Sequence, residues 1–298
     1  MASSYIDNQD LYIEKINPKN TTQYYTENAV KDFSRMTEII KVKGEKSVKH
    51  NVVWTENGPI LPPSFGEIST IRPEGHEISL NWTGFSGKDR SIECLISLML
   101  SKNLSEAKEN FDLMFVPSKN IILADAKTIE MHTIGLIPRR NKIHATKGQI
   151  PALGWFSKNI WGKHFSYDAN PSFNDPRLGI LVNTNNKIVD ESFPRHLSFD
   201  WGDSQRILRV KNLLKKRQFH TVSSFIEIQT DTVSISARIL LPLLAQNLWI
   251  RETTGKASLD SKLQTTALQL LAEWNGDMNQ NDVEPLLYAE WIREFQKL

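Results

Sequence analysis

Between Gly179 and Val189 three asparagines, Asn183, Asn185 and Asn186, interrupt an apolar run that Ile180, Leu181 and Val182 begin and Ile188 and Val189 resume. Asparagine is a poor strand former that tolerates left-handed backbone angles, and its carboxamide carries N–H donors. The pattern therefore predicts a strand ending in a bend that presents NH2 groups. Taken alone, that is an Asn-rich turn. Three other groups have chemistry to offer. Ser3 and Ser4 raise the idea of an N-terminal nucleophile, although removal of Met1 would expose Ala2. Asp7 and Asp10, with Asn8, supply oxygens for a hard cation, but calcium wants about six to eight and this trio cannot complete the shell. Arg206 heads a basic run with Arg209, Lys211, Lys215, Lys216 and Arg217, the pattern of a solvated helix face. The seven histidines show no ligand spacing such as His-x-x-x-His, and the single cysteine, Cys94, sits in an apolar helical pattern that predicts a buried, inert thiol.

The elements that must position these groups fall into two kinds. Asp10 to Ile16 alternates Leu11 and Ile13 with Tyr12 and Glu14 and predicts a strand, which Asn17-Pro18 ends. Thr37 to Lys43 and Ser47 to Thr55 flank Gly44 as a hairpin, and His76 to Trp82 continues the sheet. Lys88 to Lys102 switches to helical spacing through Ile92, Leu95, Ile96, Met99 and Leu100. Asn103 followed by Glu106 is a capping pattern for a helix from Ser105 to Leu113. Asn120 to Ala124 and Thr128 to Gly135 predict a second hairpin about Asp125. Leu136 to Asp175 has no periodicity, and a loop of that length is usually functional or wrapped over a core. Helical patterns then cover 206–218, 221–228, 234–251, 258–274 and 283–297, with Gly276 as a helix stop.

A chain of 298 residues, against about 150 per domain, allows one large or two modest domains. With 36 basic and 34 acidic residues the net charge is +2, which gives no general reason to expect nucleic acid or an anionic membrane as partner. No apolar run reaches the roughly eighteen residues of a membrane helix, and Met1 to Asp10 lacks the basic start and apolar core of a signal peptide.

Six landmarks, in order, change the weight of the asparagines. They are Thr55-Glu56-Asn57-Gly58-Pro59-Ile60, Leu80-Asn81-Trp82-Thr83-Gly84, Pro117-Ser118-Lys119-Asn120-Ile121 with Ala124-Asp125, the Val182 to Val189 stretch leading through Phe193-Pro194 to Asp200-Trp201 and Arg206-Ile207, Leu271-Ala272-Glu273-Trp274-Asn275-Gly276, and Leu287-Tyr288-Ala289-Glu290-Trp291. Together these resemble the penicillin amidase (penicillin acylase) family of N-terminal nucleophile hydrolases, with Asn57 standing where the family has His.

The resemblance implies an α+β fold: the antiparallel β-sheet portion of an αββα sandwich followed by a helical region, incomplete at both ends. It also implies one partial domain over 1–298, with strands and loops to 205 and helices from 206. It places Asn185 as the oxyanion donor, Arg206 beside the active site, and Ser3 and Ser4 at a strand end whose backbone N–H serves the same oxyanion. Asp7 and Asp10 match a segment that carries calcium ligands in some relatives, but Arg195 and His196 stand where relatives supply a further Asp. Calcium is therefore doubtful, and no other cofactor is implied. The family's Ser-Asn-x-Trp start is absent, so the expectation is an internal segment of an amidohydrolase acting on small N-acyl amides such as penicillins or acyl-homoserine lactones. Its nucleophilic Ser and its first chain would be separate partners, the intact parent periplasmic or secreted, and this chain cytoplasmic if made as it stands. The other class of reading is a non-catalytic remnant, or a binding half that works only with a partner chain.

Overall fold

The computed structural model describes residues 1–248 and 259–297, which divide into two units, Met1–Gly202 and Asp203–Leu298. The first holds twelve described strands: β1 (Ala2–Ser3), β2 (Gln9–Lys15), β3 (Gln23–Tyr25), β4 (Val30–Asp32), β5 (Ser34–Ile40), β6 (Val48–Thr55), β7 (Gly58–Pro59), β8 (His76–Trp82), β9 (Lys119–Ala124), β10 (Ile129–Ile134), β11 (Ala152–Leu153) and β12 (Ser172–Asn174). Among them lie helices α1 (Ile68–Ile71), α2 (Ser91–Leu100) and α3 (Leu104–Lys108). One sheet runs β1-β9-β10-β12, antiparallel throughout; another runs β11-β2-β8, where the two-residue β11 is the one parallel pairing between described strands. The predicted hairpins are both present, as β5–β6 and β9–β10, the second closed by Asp125 Oδ1 accepting from the N–H groups of Lys127 and Thr128.

Two expectations are reversed. On β2 the pattern favours Leu11 and Ile13 as the inward residues, yet Asp10, Tyr12 and Glu14 are the buried ones, with Leu11 and Ile13 half-buried. The inward side chains are hydrogen-bonded: Tyr12 donates to Asn159 O at 2.9 Å, and Glu14 Oε1 accepts from Thr55 Oγ1, Asn57 Nδ2 and Ser79 Oγ, while Glu14 Oε2 has no hydrogen-bond partner among the described residues. Nor do Ile180 to Val182 form a strand. Asn183 Oδ1 accepts from Asn185 N–H and Asn186 Oδ1 from Thr184 N–H, so side chains take the amides a ladder would need, and the only pairing left is a bridge between Asn186 and Gly202.

Helix α2 also turns differently from its pattern. Cys94 is buried with Phe111, Met114, Ile121 and Ile134, while Ile92, Ile96, Met99 and Leu100 are exposed. The predicted cap is present: Asn103 Oδ1 accepts from Glu106 N–H at 2.9 Å and Glu106 Oε2 accepts from Lys102 N–H at 3.0 Å, but the helix stops at Lys108 and a 3-10 turn follows.

The second unit holds α4 (Gln205–Lys215), α5 (Val222–Gln229), α6 (Ile235–Leu248), α7 (Leu259–Glu273) and α8 (Glu284–Phe295). The predicted ends at Arg251 and Ser258 lie outside the described residues. Ala237, Leu241, Leu271 and Tyr288 form its core with Trp274 and Trp291 packed against them. Gly276, at φ +80°, ends the α7 stretch in the left-handed conformation that favours glycine.

Candidate functional site

The landmark segments of the first unit touch one another. Gly58, at φ +139°, lies so close to β8 that a Cβ there would stand 1.9 Å from the carbonyl of Leu80, which joins the first two landmarks through the absence of a side chain. The third supplies β9, against which β1 pairs: Ala2 faces Asn120, Ser3 faces Lys119, and Ser4 N–H donates to Ser118 O at 3.2 Å.

The fourth landmark brings Asn185 to the end of that strand. Asn185 Nδ2 donates to Ser3 O at 2.8 Å, across 182 residues of sequence. Asn185 has φ +64°, a left-handed angle that most side chains resist but Asn accepts, and its amide is held by Asn183 Oδ1 at 3.2 Å. On the other side Gly202 approaches so closely that a Cβ would sit 2.7 Å from Asn185 O. Ile6, Ile137 and Leu197, with Phe165, Val189, Phe193 and Trp201 against them, form the apolar cluster beneath both segments. Asp7 N–H donates to Leu197 O at 2.7 Å and ties them a second time. Asn185, Ser3 and Ser4 are thus brought together. Arg206 lies in the first turn of α4, in the second unit, with its side chain exposed.

Asp10 points to a protein cation and Asp7 to a histidine. Asp10 is buried; Arg140 Nε donates to its two oxygens at 3.2 and 3.0 Å, Arg140 Nη2 to Oδ1 at 2.6 Å, and Trp161 Nε1 to Oδ2 at 2.7 Å. His196 Nε2 donates to Asp7 Oδ2 at 2.5 Å, and Ser198 Oγ to Oδ1 at 3.3 Å. These residues do not fit a calcium ion, because a cation among the carboxylate oxygens would face the guanidinium that already holds them. His144, also buried, has Nε2 3.7 Å from Asp10 Oδ2, and burial pushes its pKa below the usual histidine value. Sequence reasoning did not single out Arg140, His144 or Trp161. A signal was there: Met131 to Tyr167 contains no Asp or Glu, so its six Lys and Arg must find carboxylates elsewhere in the fold or none.

With this geometry in hand the comparisons are specific. A sequence profile of the family described as penicillin amidase matches residues 1–298. The chain belongs to that family. Among curated relatives it is 26% identical over 234 residues to acyl-homoserine lactone acylase QuiP of Pseudomonas aeruginosa, covering 77% of this chain and 27% of the relative. It is 24% identical to QuiP of Pseudomonas fluorescens strain Pf-5, covering 100% and 36%. It is 23% identical to the penicillin acylase 2 proenzyme of Pseudomonas sp. strain SE83, again covering 100% and 36%. Among solved structures, a thermostable penicillin G acylase from Alcaligenes faecalis superposes with a TM-score of 0.73 at 21% identity, over 94% of this chain and 48% of that one. That likeness carries the fold: α+β, with antiparallel sheets ahead of a helical region. The penicillin amidase chain here spans about a third of the length of the curated relatives it matches. Among the described residues no helix is long and apolar enough to cross a membrane, and no three His, Cys, Asp or Glu are grouped to hold a metal ion.

Proposed function

We propose that this chain is part of an acylase that cleaves small N-acyl amides, with Asn185 as the side-chain donor to the oxyanion. The observation that carries the reading is the Asn185 carboxamide at the Ser3 carbonyl, 2.8 Å away on a left-handed residue pinned from both sides. A donor fixed in this way loses little freedom when charge develops in front of it, which is the condition for electrostatic stabilisation of a tetrahedral intermediate.

In this reading the attacking Ser is an N-terminal residue from outside the chain, and its own α-amine takes the hydroxyl proton as Oγ adds to the amide carbonyl. The oxyanion accepts from Asn185 Nδ2. Collapse breaks the C–N bond, the amine leaves with the proton, and water, deprotonated by the same α-amine, releases the acid from the acyl ester. Backbone N–H groups at the Ser3–Ser4 strand end would be the second donor; Ser4 N–H is engaged by Ser118 O at 3.2 Å, as Asn185 Nδ2 is by Ser3 O at 2.8 Å. Arg206 carries a planar fork that suits orienting work. The names of relatives favour acyl-homoserine lactones or penicillins as substrate classes.

The exposed apolar side chains of α2 and of hairpin β5–β6 support a partner polypeptide over this unit. The test is hydrolysis of a chromogenic N-acyl anilide. The expected result is no release by the chain alone and release when the Ser-bearing partner chain is co-expressed. Turnover by the chain alone, abolished by Ser3→Ala or Ser4→Ala, would overturn the assignment.

A further inference from the structure

The aperiodic stretch from Leu136 to Asp175 delivers a set of side chains to one buried carboxylate. Asp10 is 2% exposed and lies within a shell made almost wholly by that stretch: the Arg140 fork, the Trp161 indole and the His144 ring. Arg140 also stacks on Trp161, its guanidinium carbon 5.6 Å from the ring centroid, and Nη2 donates to the carbonyl of Asp7 at 2.9 Å. The packing leaves no room at Gly148, where a Cβ would stand 2.4 Å from Asp10 Oδ1 and 2.8 Å from Arg140 Nε. Three residues before Asp10, Asp7 is held by His196 and Ser198 from the segment that follows Asn185.

Physically this is the work of a bound metal done with side chains. A buried carboxylate is tolerated only when paired and hydrogen-bonded. Here one planar cation satisfies both of its oxygens and grips the carbonyl of Asp7, so the Asp7–Asp10 segment is clamped from the loop side by Arg140 and from the Asn185 side by His196. That segment leads directly from the Ser3–Ser4 strand end.

We propose that Arg140 occupies the role a divalent cation would play between Asp7, Asp10 and the loops around them, with His196 hydrogen-bonded to Asp7 beside it, so that the Ser3–Ser4 strand end is positioned beside Asn185 by fixed side chains and without a metal. Arg140 is thus a positioning residue. Only its catalytic consequence rests on the acylase reading; the clamp itself is read without activity.

The test uses the chain as it stands. Its melting temperature should be unchanged by EDTA and by millimolar calcium; a calcium-induced rise of more than about 5 °C, the shift expected of a saturated native site, would overturn the proposal. Arg140→Ala should destabilise strongly and quicken amide exchange in residues 2–10, leaving the helices of the second unit unchanged. Adding Asp10→Asn to Arg140→Ala should recover part of the lost melting temperature, since it removes the stranded charge. A simple packing residue would show no such recovery, and additive losses in the double variant would sink the counter-ion role. Should Arg140→Ala fail to fold, the double variant should still fold; if it does not, the proposal fails there.

Discussion

Replacing Asn57 by Ala removes one of three donors to the fully buried Glu14. Asn57 Nδ2 donates to Glu14 Oε1 at 2.9 Å and to Gly154 O at 3.3 Å, while Thr55 Oγ1 and Ser79 Oγ reach the same oxygen at 2.9 and 2.6 Å. Glu14 has no exposure and no cation in its shell among the described residues, so Oε1 relies on these neutral donors. A hydrogen bond to a charged acceptor is worth about 1.5–3 kcal/mol and the longer neutral one about 0.5–1 kcal/mol, so Asn57→Ala should cost roughly 2–4 kcal/mol. Urea unfolding followed by tryptophan fluorescence, with an unchanged m value, measures it. The same substitution in a Glu14→Gln background should cost clearly less, because the acceptor no longer carries charge. A loss under about 0.5 kcal/mol, or an identical loss in both backgrounds, would refute the reasoning.

Two further outcomes follow from the packing. Burial pushes the Cys94 thiol up to about 11, and its side chain has no exposure, so a thiol reagent should modify the native chain at least about 100-fold more slowly than the urea-unfolded chain; equal rates would place Cys94 at the surface. In the second unit Arg209 Nε and Nη2 donate to Asp231 at 2.8 and 2.5 Å and hold its carboxyl below the usual range. A depressed folded-state pKa contributes stability above the unfolded value and loses it as pH falls. The stability gap between the native chain and Asp231→Asn should therefore be full near neutrality and shrink below about pH 4, and a gap independent of pH would contradict the pairing.

What the sequence made legible were local patterns with a single solution. The Asn103 and Glu106 cap, the Asp125 turn and the Gly276 stop depend on a few adjacent residues, and the structure has each of them. The helices of the second unit follow from 3.6-residue spacing around Leu241, Leu271 and Tyr288. The β2 face was misleading because alternation registers apolarity, and here the inward side carries Asp10, Tyr12 and Glu14, whose partners lie between 41 and 151 residues away. The Asn cluster was visible, but its strand was not what the apolar run promised, since the asparagines' own carbonyl oxygens take the backbone amides. Arg140 could not be singled out for the opposite reason: the acid-free stretch around it says only that its cations lack local partners, and only the fold brings Asp10 to it.

The central claim is the role of Asn185, and the most direct measurement is kcat for N-acyl anilide hydrolysis by the enzyme assembled with its Ser-bearing partner. Asn185→Ala should lower kcat by about 10²–10³ with a much smaller change in KM, because the donor engages charge that is complete only in the transition state. Asn183→Ala, which removes the oxygen that fixes the Asn185 amide, should cost mainly stability, about 1 kcal/mol. Near-native kcat in Asn185→Ala would contradict the account.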